Sequence, residues 1–391
     1  MHKVPRPSVG KYSDVCGVYV GYVAAFGRST VVFDGYEKPS TKDEAHMKRR
    51  STVTSVDLNI ENDNPFTQVR DRVLSNETNK KSLIALLSGY LRDAGVPVLQ
   101  ASGDADTLIV RTAISHSLEG RNAVVVGEDT DLLVLLAALS PSSSRTFMHM
   151  PGRSGAARRV FDVKVLQDSL GDLKKIILFY HAFTGCDTTS APYMRGKVNS
   201  WKKFEKCDDQ LKKELQVFYQ PDSSHEEIAR VGEEFMLQLY KTASTSSATN
   251  LNELRLLCYQ RAISRKSPGD EFHLASLPPT SAATRQHSYR VYYQVQDWLG
   301  NTSLTVTEWG WKLQHSTLLR PVTTDKAPGP EDLIHLVFCN CPMECGENCD
   351  CRTGGIPCGP MCGHCGGTAC DNMDPDRESD DEDIDDPEET L

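Results

Sequence analysis

Between Gln100 and Leu136 the chain reads QASGDADTLIVRTAISHSLEGRNAVVVGEDTDLLVLL. Two acid pairs of the same spacing stand in it: Asp104 and Asp106 in GDAD, then Asp129 and Asp131 in EDTD. Carboxylates crowded into one small volume repel each other unless cations sit between them. The chemistry they fit is that of one or two Mg2+ or Mn2+ ions, hard cations that favour oxygen ligands.

A second set of chemically capable residues lies near the other end. Nine of the thirteen cysteines fall in one short stretch: Cys339, Cys341, Cys345, Cys349, Cys351, Cys358, Cys362, Cys365 and Cys370. Gly, Pro, Asn and Asp separate them, with few apolar residues, so the segment has no means of building a core. Thiolates holding zinc supply the missing cohesion. Three tetrahedral ions need twelve bonds, so nine thiolates serve about three zinc ions if three sulfurs bridge. A disulfide knot is the competing reading. The odd cysteine count and the lack of a signal-peptide apolar core near Met1 argue against it.

The elements around the acids set where they point. Val96 to Leu99 (VPVL) and Ala123 to Val126 (AVVV) are short apolar runs that read as buried strands, each leading into an acid pair. Ser29 to Phe33 is a further strand, ending at Asp34. Lys81 to Asp93 and Leu108 to Leu118 have helical spacing, and so do VFDVKVLQDSL and LKKIILFY between Val160 and Tyr180. Strands alternating with helices, with acids at strand ends, predict an α/β fold with a parallel sheet. Acids at the carboxyl ends of neighbouring parallel strands converge on one crevice.

In order, the acids are Asp34, Asp104 and Asp106, Asp129 and Asp131, and Asp187. At this point the first half of the chain resembles the flap-endonuclease-like branch of PIN-fold nucleases. The family's F-D-G strand end is similar to VVFDG at Val31 to Gly35, and its basic arch to KDEAHMKRR at Lys42 to Arg50. GDAD stands where the family has an acid pair at a helix start. GEDTDLL is similar to its second pair, and TGCD, Thr184 to Asp187, to its later G-x-D turn. The resemblance implies a metal-dependent phosphodiester nuclease acting on DNA or RNA. Asp106, Asp129, Asp131 and Asp187 would stand nearest the metals, with Asp34 and Asp104 serving a second ion or its waters. Lys42, Lys48, Arg49 and Arg50 would neutralise incoming phosphates.

The family's first strand, with a further acid, has no counterpart upstream of VVFDG, where the sole acid is Asp14. After Asp187 the family's glycine-rich grip on duplex DNA is replaced by APYMRGKVNSWKKF, with Gly196, Lys197, Lys202 and Lys203. These departures keep a second reading open: a catalytically inactive scaffold or DNA-binding protein.

The cysteine stretch resembles the tesmin-type CXC domain, and more loosely the pre-SET zinc cluster. The likeness lies in its C-x-C pairs, its C-x6-C gap and its count of nine. Its second half departs from the CXC pattern, and Arg352 is its one Lys or Arg. The resemblance implies structural zinc and a nuclear or otherwise intracellular protein.

Composition sets the remaining bounds. The chain has 391 residues and a net charge of -10. Twelve acids and Arg377 fall between Asp371 and Leu391, which leaves the body at about +1, compatible with a nucleic-acid partner. No run is long and apolar enough to span a bilayer. No Walker loop and no G-x-G-x-x-G occur, so an ATPase or dinucleotide enzyme is unsupported. The expected organisation is a PIN-like α/β domain over 1–204 and a mainly helical region over 205–325. A linker over 326–338, a zinc module over 339–372 and an acidic, disordered tail over 373–391 follow.

Overall fold

The computed structural model describes residues 10–35, 41–42, 56–66, 70–152, 157–264, 274–314, 318–326, 338–339, 341, 345–359, 362–367 and 370–372. Lys48, Arg49, Arg50, the acidic tail and most of the expected linker lie outside them. Residues 1–323 form one compact unit and 324–391 a second. The whole is a mixed α/β structure with many helices, small sheets and a C-terminal cysteine cluster.

The first unit opens with α1 (Tyr12–Ala24), β1 (Val31–Phe33), α2 (Arg70–Ser75), α3 (Glu77–Asp93) and β2 (Val98–Gln100). Helix α3 starts where the Asn76 side chain accepts the Asn79 N–H at 2.9 Å. It buries Leu83, Ile84, Leu87 and Leu91 on one face, against Tyr12, Val15, Cys16 and Phe33. Asp14, the acid upstream of VVFDG, closes the start of α1 by accepting the Lys11 N–H at 2.8 Å. It is a capping residue.

Then come α4 (Asp106–Leu118), β3 (Ala123–Val126), α5 (Thr130–Leu139), β4 (Thr146–Met150), β5 (Arg159–Asp162), α6 (Val163–Leu170) and α7 (Ile177–Phe183). Strand β1 pairs in parallel with β2, and β3 in parallel with β4, which β5 joins antiparallel. Among the described residues β1 and β3 are each paired on one edge only. Helix α4 serves both sheets: it packs on β3, and the Ala105 N–H at its start donates to Asp34 Oδ1, 3.3 Å, beyond β1.

Two expectations are corrected. The runs before the acid pairs are not buried on both faces. Val124 is 55 % exposed, and Leu99 and Val126 are also exposed. Residues Val160 to Asp162 belong to strand β5, and the helix begins only at Val163, where Asp162 caps it by accepting the Lys164 and Val165 N–H groups.

The rest of the unit is helical: α8 (Lys197–Glu205), α9 (Asp209–Glu214), α10 (His225–Tyr240), α11 (Leu251–Ser264) and α12 (Ser281–Leu299), then the hairpin β6 (Trp311–Gln314) and β7 (Leu318–Pro321). Helix α10 carries a reciprocal cap between Ser224 and Glu227. Helix α12 starts at the Thr280 cap and stops at Gly300, in the left-handed region at φ 89°. One buried cluster runs from Val110 and Leu135 through Phe179, Phe183 and Phe235 to Tyr292 and Trp298. The core is therefore continuous across position 204, where the sequence reading changes from an α/β domain to a helical region. Trp298, Trp309 and Trp311 are all buried within the unit.

Among its described residues the second unit has one short helix, α13 (Asp350–Thr353), and a core made of sulfur. No helix among the described residues is long and apolar enough to cross a membrane.

Candidate metal centres

The acids predicted from sequence sit at element starts and strand ends. Asp34 follows β1, where Gly35 is required: a Cβ there would lie 2.0 Å from Ala101 O. The loop before α4 thus passes directly over Gly35, and Asp34 Oδ1 reaches the Ala105 N–H at 3.3 Å. Asp104 precedes α4 and Asp106 is its first residue. Asp129 caps α5 by accepting the Asp131 N–H at 2.9 Å, and Asp131 lies in that helix's first turn. Asp187 lies in the turn after α7. Carboxylates near helix N-termini are favoured by the helix dipole whatever else they do.

One cation faces most of these acids. The Lys42 ammonium lies 2.8 Å from Asp104 Oδ2, 3.1 Å from Asp106 Oδ2 and 4.0 Å from Asp187 Oδ2. Its charge also acts on Asp129 and Asp131. Asp34 stands to one side, with its Oδ2 3.5 Å from Lys80 Nζ. The structure thus brings Asp104, Asp106, Asp129, Asp131 and Asp187 around Lys42, with Asp34 tied in through Ala105. Of the basic residues assigned to phosphate, Lys42 faces the acids directly; the other three fall outside the described residues.

The electrostatics follow from this crowding. Burial, only partly offset by Lys42 and reinforced by Asp104, pushes Asp106 up to about 7. Burial likewise raises Asp129, and the charges of Asp131 and Asp187 add to it. Asp131 moves the other way. Burial acts to raise it, but a hydrogen bond from His181 and the charges of His181, Lys42 and Lys197 hold it below its ordinary value. Burial acts to lower Lys42, and Asp104 and Asp106 override that and raise it. A carboxyl near 7 beside a firmly charged ammonium is a donor set that needs positive charge, which is the fit a divalent cation requires.

Two residues beyond the predicted acid set join this neighbourhood. His181 Nε2 lies 2.8 Å from Asp131 Oδ1, both side chains buried. Asp297 stands in the last turn of α12. It is raised by burial and by the nearby charge of Asp104, against Lys42 and Arg111. Its signal was an acid in a helix's last turn, where the dipole disfavours negative charge.

The cysteine cluster is tighter. All nine sulfurs are free thiols, so no disulfide knot exists. Their separations include 3.7 Å for Cys339–Cys345, 3.9 Å for Cys349–Cys358 and for Cys345–Cys358, and 3.6 Å for Cys351–Cys362. Thiolates about 2.3 Å from a shared tetrahedral zinc stand roughly 3.8 Å apart. Three four-sulfur groups close to within 4.8 Å: Cys339, Cys345, Cys349, Cys358; Cys339, Cys358, Cys362, Cys365; and Cys345, Cys358, Cys365, Cys370. Cys358 belongs to all three, as a bridging sulfur would, whereas Cys341 and Cys351 belong to none.

Backbone N–H groups aim at the sulfurs. That of Arg352 brings Cys349 down to about 6 and that of Gly367 brings Cys365 down to about 7. Asn372 Nδ2 donates to Cys358 Sγ at 3.4 Å. Among the described residues, these cysteines are the groups of three or more candidate ligands that close to 4.8 Å; the carboxylates stand wider apart. The cluster can hold zinc.

Compared with known protein families and with curated proteins, the chain matches no family model and no curated protein.

Proposed function

We propose that residues 1–204 carry a PIN-like domain of the flap-endonuclease type, a Mg2+- or Mn2+-dependent phosphodiester nuclease acting on DNA or RNA. The cysteine cluster then serves as a CXC-type structural zinc module in a nuclear protein. The observation that carries this reading is the convergence of Asp104, Asp106, Asp129, Asp131 and Asp187 on Lys42. Two of these positions follow β3 and two follow β2, the ends of two parallel strand pairs. That placement supports a PIN-like topology.

Asp106, Asp129, Asp131 and Asp187 would hold the cation, with Asp34 and Asp104 at the second position. A divalent cation there supplies Lewis acidity toward water and the phosphodiester. The chain's own residues bind and orient. Asp129 fixes the backbone of Asp131, His181 fixes its carboxylate, and Lys42 meets phosphate charge once the acids are neutralised.

The test is cleavage of flap, hairpin and single-stranded substrates in Mg2+ or Mn2+, with the Asp129→Asn/Asp131→Asn double variant alongside. Cleavage by the unaltered protein and its loss in the double variant are expected; activity unchanged by the double substitution would sink the assignment.

The second reading, an inactive scaffold or DNA-binding protein, is favoured because no three of the described carboxylates close to within 4.8 Å of one another. It predicts that nucleic acid is bound and left intact, with binding untouched by the double substitution.

A further inference from the structure

Asp131 is held more fully than its neighbours. Its N–H is taken by Asp129, and its Oδ1 by His181 Nε2 at 2.8 Å. Its Oδ2 accepts no hydrogen bond from the described residues, and the side chain keeps 12 % of its surface open. His181 itself has no freedom to wander. It is 2 % exposed and sits on α7, all seven residues of which are buried.

The imidazole is braced from a distant part of the chain. The Trp298 ring lies 5.6 Å from it, tilted by 39°. Trp298 is itself buried in the last turn of α12. That turn is pinned to α4 by Arg111, whose Nη2 donates to Leu299 O at 3.0 Å. One helix turn therefore touches both α4, which begins with Asp106, and the histidine that grips Asp131. An isolated carboxylate turns freely between its two oxygens. A short hydrogen bond to a buried imidazole removes that freedom, and such bonds are strong where water is excluded.

Resting on the cation-binding reading above, we infer that His181, braced by Trp298, is a positioning residue that holds Asp131 with Oδ1 engaged and Oδ2 turned to a divalent cation. The C-terminal turn of α12 is then a wall of the site rather than part of a separate region.

The test is Mn2+ binding by the full chain, read from the electron paramagnetic resonance signal of free Mn2+. It compares the unaltered protein with His181→Gln and His181→Leu. A glutamine amide still donates to Asp131, whereas leucine does not. Loss of a residue that orients a ligand weakens metal binding about 10–100-fold. His181→Leu is therefore expected to bind at least about 10-fold more weakly, and His181→Gln within about 3-fold of the unaltered protein.

Because the leucine variant can fail to fold, a second measurement uses the unaltered protein. Mg2+ titration should shift the His181 15Nε2 resonance although the ring touches no metal. Equal Mn2+ affinity in His181→Leu would overturn the proposal. So would equal weakening in both folded variants, or an Mg2+-saturated protein with an unmoved His181 resonance. If the unaltered protein binds neither Mn2+ nor Mg2+, the cation reading itself falls, a result distinct from any difference between variants.

Discussion

Lys42 sets its ammonium 2.8 Å from Asp104 Oδ2, with its side chain 13 % exposed, so the acid crevice carries its own positive charge. That ammonium and a divalent cation compete for the same carboxylates. In Lys42→Met the acids lose their shared counter-charge. Removing one partner of a fully buried pair costs about 3–5 kcal/mol, and the partial opening of Asp104 and Asp106 makes the cost here smaller. We expect a lower melting temperature in cation-free buffer, restored by Mn2+, and tighter Mn2+ binding than in the unaltered protein. A Lys42→Met protein whose melting ignores Mn2+ would contradict this.

The sharing of Cys358 makes a graded prediction. It lies in all three four-sulfur groups, whereas Cys370 lies in one. Cys358→Ser should release more zinc than Cys370→Ser and should leave the module unfolded, since metal binding supplies its folding energy. Elemental analysis of the purified protein should find close to three zinc ions per chain before substitution. Equal zinc loss in the two variants would argue against a bridging Cys358.

His287 gives a pH dependence. It is buried, with Nε2 3.0 Å from Phe183 O, and burial followed by the charge of Arg290 lowers its pKa from 6.5 to about 4. Between those values the unfolded chain binds a proton that the folded one does not. Its contribution to stability is complete above pH about 6.5 and is lost as pH falls toward 4, by about 2–3 kcal/mol near pH 4.5. Urea unfolding at pH 7.5 and 4.5 should show this loss. His287→Gln, which has no such proton to gain, should show a smaller acid loss by that amount.

Helices α10 and α12 approach closely at Gly232. A Cβ there would lie 1.9 Å from Ser288 Oγ and 2.7 Å from its Cβ. Gly232→Ala should cost about 1–3 kcal/mol through overpacking. Ser288→Gly introduced together with it should recover part of that cost. Additive losses in the double variant would rule out the steric explanation.

Much of the site was legible because its signals are local. The FDG turn, the acids at the starts of α4 and α5, and the cysteine spacing each occupy a few adjacent residues. Strands β4 and β5 were missed for physical reasons. TFMHM alternates buried and half-buried positions, but with Met and His in place of β-branched residues, so its period is faint. RVFD runs straight into the apolar face of α6, and the two periods merge. The partner of His181 is Asp131, fifty positions away, and nothing local in the sequence joins the two. Trp298 carries no local sign that it belongs beside His181.

The contact between Trp298 and His181 has a consequence for how the protein is made. Trp298 follows Asp131 by 167 residues. At roughly 5–20 residues per second, a ribosome needs on the order of ten seconds or more to travel that far. Through the last 111 residues of that stretch the acids, Lys42 and His181 already exist, but the brace does not. A nascent chain therefore carries its carboxylates well before it can hold them in place. A fragment cut near position 204 would stay permanently in that unfinished condition.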